Sequence, residues 1–282
     1  MTYQKFLTEQ TKRIKNTNLE KEAIKLLVLE LSNLDGATFL ASLNQEMPED
    51  VYQKTLAAVD EYIINKKPVQ HILGYSYFFG YKMKVDENVL IPRPETEELV
   101  GYVLSTYDQV FNGKKVKVVD VGTGSGAIAV ALKKEEPNMT LYATDISEEA
   151  LDVARFNAST NEAEVTFYQG DMLQPLIEKN LKFDILVSNP PYIPVNEYVE
   201  DIVINNEPHV ALFGGENGMN FYDIILKDAS KILNKPNCIA FEHSYNKRQE
   251  MHELIKKYFP NSKYETIKDL SGKDRITIII NE

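Results

Sequence analysis

From residue 115 onward, short runs rich in β-branched and aliphatic residues alternate with segments of helical period. The runs at 116–121, 140–144, 164–168, 183–188, 238–242, 263–268 and 275–280 have the length of strands, and helices fit at 125–135, 147–160, 219–233 and 246–258. A chain alternating in this way predicts a parallel-rich α/β sheet with helices packed on both faces.

The preceding part reads differently. Ala23, Ile24, Leu27, Val28 and Leu31 form one apolar stripe at helical spacing. Asp35 and Gly36 interrupt it, a short segment follows at 37–43, and Pro48 suits the first turn of a helix over 48–65. Residues 71–91 cluster Tyr75, Tyr77, Phe78, Phe79 and Tyr81 between glycines, with alternation in place of the helical period, so a β-hairpin linker is expected there. An acidic-started helix follows at 95–107. The expected domains are therefore a helical bundle over 1–70, the linker over 71–91 and the α/β domain over 92–282.

Composition narrows the function classes. With 43% hydrophobic and 26% charged residues the chain is ordinary for a globular protein. It has no run of apolar residues long enough to span a membrane, its N-terminus is polar rather than signal-like, and its single cysteine, Cys238, supplies neither disulfide nor metal cluster. A cytoplasmic protein without a metal is expected. The net charge of −11 is uneven: residues 1–90 carry 11 basic and 12 acidic residues, leaving 20 basic and 30 acidic in the remainder. An acidic α/β half argues against a nucleic-acid partner, whose phosphates favour a basic face.

Asp120-Val121-Gly122-Thr123-Gly124-Ser125-Gly126-Ala127 follows one strand and opens a helix. Glycines at such a turn let a cofactor approach closer than a Cβ would permit. Asp145 ends the next strand, where a carboxylate accepts hydrogen bonds from the ribose hydroxyls of an adenosine cofactor. Gly122, Gly124 and Ala127 also satisfy the dinucleotide fingerprint, so a nicotinamide enzyme remains open at this point. Gly170-Asp171-Met172 closes the third strand, where a methyltransferase would surround an adenine.

Asn189-Pro190-Pro191-Tyr192 discriminates further. An apolar strand runs straight into it at the carboxyl edge of the sheet, where open α/β folds bind ligands. Two prolines stiffen the backbone and hold neighbouring acceptors in place. A planar –NH2 is a poor nucleophile because its lone pair is delocalised. The Asn189 side-chain oxygen and the Pro190 carbonyl can each accept one of its N–H groups, localising the lone pair, while Tyr192 can stack on its flat face. Methyl transfer is then largely a positioning problem. An oxidoreductase would leave this segment unexplained; a non-catalytic binding module would not need both motifs.

These residues resemble class I methyltransferases bearing Asn-Pro-Pro-Tyr, a group acting on planar nitrogens. More of the chain resembles the PrmC/HemK-type glutamine methyltransferases of release factors. The shared stretches are Pro68-Val-Gln-His-Ile-Leu-Gly74, Val89-Leu-Ile-Pro92-Arg93-Pro94-Glu95-Thr96-Glu97 and Glu207-Pro208-His-Val-Ala-Leu212. Gly214-Gly215-Glu-Asn-Gly218, Glu242-His243 and Asp269-Leu-Ser-Gly-Lys-Asp274-Arg275 complete them. The resemblance implies a Rossmann-like sheet whose last strand is antiparallel, with a small helical N-terminal domain that helps hold the substrate protein. It implies S-adenosyl-L-methionine as cofactor and S-adenosyl-L-homocysteine as product. Gly122, Thr123, Gly124, Ser125, Gly126, Asp145, Asp171, Met172 and Asn189 would bind the cofactor. Asn189, Pro190, Pro191 and Tyr192 would bind the glutamine, with Asn189, Pro190 and Tyr192 the catalytic set. The implied substrate is the glutamine of the Gly-Gly-Gln loop of class I peptide chain release factors; the alternative is a DNA or RNA adenine-N6 methyltransferase. His71 is expected to be structural, and Glu207, Pro208 and His243 to shape the pocket or cap an element.

Overall fold

Every residue of the run Val116–Val121 except Lys117 is buried, as a strand covered on both faces requires. The computed structural model, which describes Met1–Glu282, builds a seven-stranded sheet around it. The elements begin with α1 (Tyr3–Arg13), α2 (Lys21–Ser32), α3 (Gly36–Ala41), α4 (Glu49–Ile63), α5 (Val69–Leu73), β1 (Tyr75–Phe78), β2 (Tyr81–Lys84) and α6 (Pro94–Phe111). Then come β3 (Val116–Val121), α7 (Ala127–Glu135), β4 (Met139–Asp145), α8 (Glu148–Thr160), β5 (Val165–Gln169), α9 (Gln174–Glu178) and β6 (Phe183–Ser188). The chain closes with α10 (Asp201–Ile204), a 3-10 turn (His209–Ala211), α11 (Asn220–Ala229), β7 (Leu233–Glu242), α12 (Arg248–Tyr258), β8 (Lys263–Lys268) and β9 (Asp274–Asn281).

The large sheet has the order β5-β4-β3-β6-β7-β9-β8. Strands β3 to β7 pair in parallel, and β9 runs antiparallel between β7 and β8. The sheet is thus Rossmann-like with its last strand reversed. Side chains alternate between two layers. Val116 and Val118 of β3, with Cys238 and Ala240 of β7, join Leu99, Val103 and Val130 from α6 and α7. Val119 and Val121, with Ile239 and Phe241, join Tyr222, Ile225 and Met251 from α11 and α12. Truncating a fully buried member such as Leu99 to alanine costs about 2–5 kcal/mol. The chain leaves β3 toward β4 and β5, then returns past β3 to β6, so a crevice opens at the carboxyl ends of β3, β4 and β6.

The chain divides into two compact units: Met1–Tyr75 with Val199–Asn206, and Ser76–Tyr198 with Glu207–Glu282. The first has its own core of Phe6, Ile24, Leu27, Val28, Phe39 and Val59. Asp35 caps α3 through the amides of Ala37 and Thr38. Arg13 of α1 pairs with Asp60 of α4 at 2.7 Å, and Asn206 donates to the Lys66 carbonyl.

Several boundaries differ from expectation. The segment 71–91 is not a hairpin throughout: α5 reaches Leu73, Gly74 ends it with φ of 77°, and paired strands occupy only β1 and β2. The helix expected from 125 begins at Ala127, because Gly126 takes a left-handed conformation. Strand β7 starts at Leu233 rather than 238.

Candidate active site

The ends of β3, β4, β5 and β6 bring the expected motifs to one cavity. After β3, the amides of Gly122 and Thr123 both donate to the Thr144 carbonyl at 2.9 Å, clamping the glycine loop to β4. A Cβ built at Gly122 or at Gly124 would meet nothing within 4 Å, so both border open space. Beneath the loop, fully buried Asp120 accepts the Thr123 hydroxyl at 2.5 Å on Oδ2, while its Oδ1 is buried without a partner. Burial, with a smaller contribution from the Asp145 charge, pushes the Asp120 carboxyl up to about 7.

At the end of β4, Asp145 Oδ2 accepts the Gly124 amide at 2.8 Å and Oδ1 accepts the Ser147 amide at 3.0 Å. Burial raises its pKa above the ordinary carboxylate value, and the backbone amides oppose that rise. Thr144 donates to the Met172 carbonyl at 3.0 Å, fixing the residue that follows the Gly170-Asp171 turn.

Of the residues singled out in the sequence, Gly122, Thr123, Gly124, Ser125, Asp145, Asp171, Met172, Asn189 and Pro191 line this cavity. Gly126, Pro190 and Tyr192 do not. Gly126 lies against α8, where a Cβ would stand 3.0 Å from the Ala154 Cβ, and Pro190 is buried. Tyr192 is half-buried, its ring packed against the core layer under α11. Burial first, and the Glu242 charge second, raise its pKa.

The Asn-Pro-Pro-Tyr segment is held from behind by residues 212–218. Ile193 donates to the Leu212 carbonyl at 3.0 Å and Gly214 donates back to Ile193 at 2.9 Å. A Cβ at Gly214 would lie 2.4 Å from the Pro191 carbonyl oxygen, and one at Gly218, whose φ is 75°, would lie 2.2 Å from that of Tyr192. Only glycine allows so close a backbone approach.

The chain is similar to known proteins. Residues 5–74 match the PrmC N-terminal domain and residues 103–205 the methyltransferase small domain. The release factor glutamine methyltransferase of Bacillus subtilis is 41% identical over 261 residues, covering 91% of this chain and 90% of the relative. The chain belongs to the release factor glutamine methyltransferase family. A second member of that family, from Bacillus cereus, is 36% identical over 259 residues, or 91% of each chain. Among solved structures, a methyltransferase from Pyrococcus furiosus shares 19% identity with a TM-score of 0.51, covering 83% of this chain and 98% of that one, a likeness of fold.

A release factor glutamine methyltransferase requires a methyl donor, and the cavity suits one of the S-adenosylmethionine type. The open space over Gly122 and Gly124 is room that a side chain would fill, and the bordering Asp145 carboxylate favours a ligand rich in donors. No group of three or more His, Cys, Asp or Glu side chains converges as a metal site, and no helix is long and apolar enough to cross a membrane.

Two residues of the shared stretches take specific partners here. Thr96, in the first turn of α6, accepts the Asn189 Nδ2 at 3.1 Å and donates to Glu242 Oε2 at 2.7 Å. Glu207 accepts the Ile91 amide at 2.9 Å and the Arg93 guanidinium, tying the start of α6 to the cavity wall. Buried acids and hydroxyls distant in sequence carry no local signal beyond polarity in apolar surroundings. His243 is buried and donates through Nδ1 to the Ser244 carbonyl, with Nε2 against Thr277 at 2.8 Å; it braces β7 on β9 and does not border the cavity. His209 meets Phe213 edge to face.

Proposed function

We propose that this protein transfers a methyl group from S-adenosyl-L-methionine to the side-chain amide nitrogen, N5, of the glutamine in the Gly-Gly-Gln motif of class I peptide chain release factors. S-adenosyl-L-homocysteine is the second product. The observation that carries this reading is Asn189: it borders the same cavity as the glycine loop and Asp145, and its amide nitrogen is committed to Thr96. Its oxygen is left to accept a substrate N–H.

The cofactor, when bound, supplies an electrophilic methyl group on a sulfonium. Gly122, Thr123, Gly124, Ser125 and Gly126 would hold its methionine and ribose part, Asp145 its ribose hydroxyls, and Asp171 and Met172 its adenine. Methionine packs on a flat ring through its polarizable sulfur. Asn189 accepts one hydrogen of the glutamine –NH2 and the Pro190 carbonyl the other, which localises the nitrogen lone pair and fixes its direction. Pro191 stiffens that corner, and Tyr192, packed against the core on one side, would stack on the flat face of the amide. The amide nitrogen would form its new bond to the methyl carbon as the carbon–sulfur bond breaks with its electron pair left on sulfur, and the nitrogen would give up one proton to water.

The adenine-N6 alternative is not favoured, since the relatives named above are release factor enzymes. Tandem mass spectrometry of a release factor incubated with the protein and S-adenosylmethionine tests the reading. One methyl group on the Gly-Gly-Gln glutamine is expected; an unmodified glutamine overturns it.

A further inference from the structure

We propose that Glu242 is a positioning residue for methyl transfer: through the Thr96 hydroxyl, its carboxylate sets which face of the Asn189 amide is offered to substrate. The proposal rests on the functional reading above and deepens it.

Three elements contribute. Thr96 stands in the first turn of α6, Asn189 follows β6, and Glu242 ends β7. Thr96 and Glu242 are 5% and 1% exposed, so bulk water does not replace a lost partner. A hydroxyl has a single proton. Thr96 gives its proton to Glu242 Oε2 at 2.7 Å, and its lone pair then accepts Asn189 Nδ2 at 3.1 Å. An ionised carboxylate can only accept, so it forces the Thr96 hydroxyl to point at it and commits the Asn189 nitrogen to Thr96. The Asn189 oxygen is thereby left to meet the substrate N–H.

Protonation reverses this logic. A carboxylic acid that donates to Thr96 turns the threonine proton toward Asn189. The amide then prefers the flipped orientation, in which Nδ2 faces the substrate –NH2, donor against donor. The groups facing Glu242 are Arg275 on β9, Glu95 on α6, and Tyr192 after β6. Tyr222 on α11 donates to its backbone carbonyl at 2.8 Å. Burial outweighs the Thr96 hydroxyl and Arg275 and pushes the Glu242 carboxyl up to about 7, so the reversal falls within the working range of an enzyme.

The test compares wild type with Glu242→Gln, Thr96→Ser and Thr96→Val on purified release factor. In wild type, kcat rises through an acidic limb centred near pH 7. In Glu242→Gln that limb is absent and kcat is lower by roughly ten- to hundred-fold, with S-adenosylmethionine affinity by calorimetry within about twofold of wild type. Thr96→Ser retains activity, and Thr96→Val loses as much as Glu242→Gln. Independently of turnover, the Asn189 side-chain amide resonances shift with the same midpoint in wild type and do not titrate in Glu242→Gln. A Glu242→Gln enzyme with wild-type kcat and limb, a fully active Thr96→Val, or untitrating Asn189 resonances in wild type overturns the proposal. Wild type without activity on release factor removes the functional reading, and this inference with it.

Discussion

The Asp145 carboxylate and the Gly124 amide, 21 residues apart in the chain, are joined by a 2.8 Å hydrogen bond. The bond ties the end of β4 to the turn that follows β3, so glycine loop and carboxylate hold a set spacing. Preorganisation of this kind lowers the ordering cost that a ligand must otherwise meet. Asp145→Ala removes the tether for the loop and, in the proposed role, the acceptor for ribose. Calorimetry is expected to show S-adenosylmethionine bound roughly 10- to 100-fold more weakly, about 1.5–3 kcal/mol. Unchanged affinity contradicts the assignment.

Asn189→Ala separates orientation from binding. The side chain contacts the reacting amide in this account, whereas the glycine loop and Asp145 carry the cofactor. Turnover on release factor is expected to drop by at least about a hundredfold, with cofactor affinity changed by less than about threefold. A variant that turns over like wild type would remove Asn189 from the mechanism.

Gly218 supports the same segment from behind. Gly218→Ala places a Cβ 2.2 Å from the Tyr192 carbonyl oxygen at a φ of 75°, and backbone cannot yield as a flexible side chain would. A loss of about 1–3 kcal/mol in urea unfolding is expected, together with impaired turnover. Full stability and activity in this variant contradict the close packing described here.

Asp120 sets a pH dependence of stability. Burial raises its carboxyl to about 7 from the ordinary 3.8, so between those values the folded chain holds a proton that the unfolded chain has released. Stability from this group is therefore full below about pH 4, falls as pH rises toward 7, and is level above. Asp120→Asn cannot ionise. Between about pH 5 and about pH 8, urea titrations are expected to show wild type losing at least about 1 kcal/mol relative to the variant. A constant difference between the two refutes the raised value.

The comparison of sequence with structure divides along the range of the interactions. Strand β3, the glycine loop, Asp145 and the Asn-Pro-Pro-Tyr corner are legible because each is signalled within a few residues by alternation, glycine spacing or paired prolines. The start of β7 is not, since Asn234, Lys235 and Pro236 are exposed and read as a turn. Nor is the return of Val199–Asn206 to the first unit. The Thr96–Glu242 bond joins residues 146 apart, and neither residue type announces the other.

The most direct test of the central claim is transfer of radiolabelled methyl from S-adenosylmethionine to purified release factor, run beside a release factor whose loop reads Gly-Gly-Ala and beside DNA and RNA. Label on the Gly-Gly-Gln protein alone is the predicted result. Label on the Gly-Gly-Ala variant, or on nucleic acid in place of protein, would contradict it.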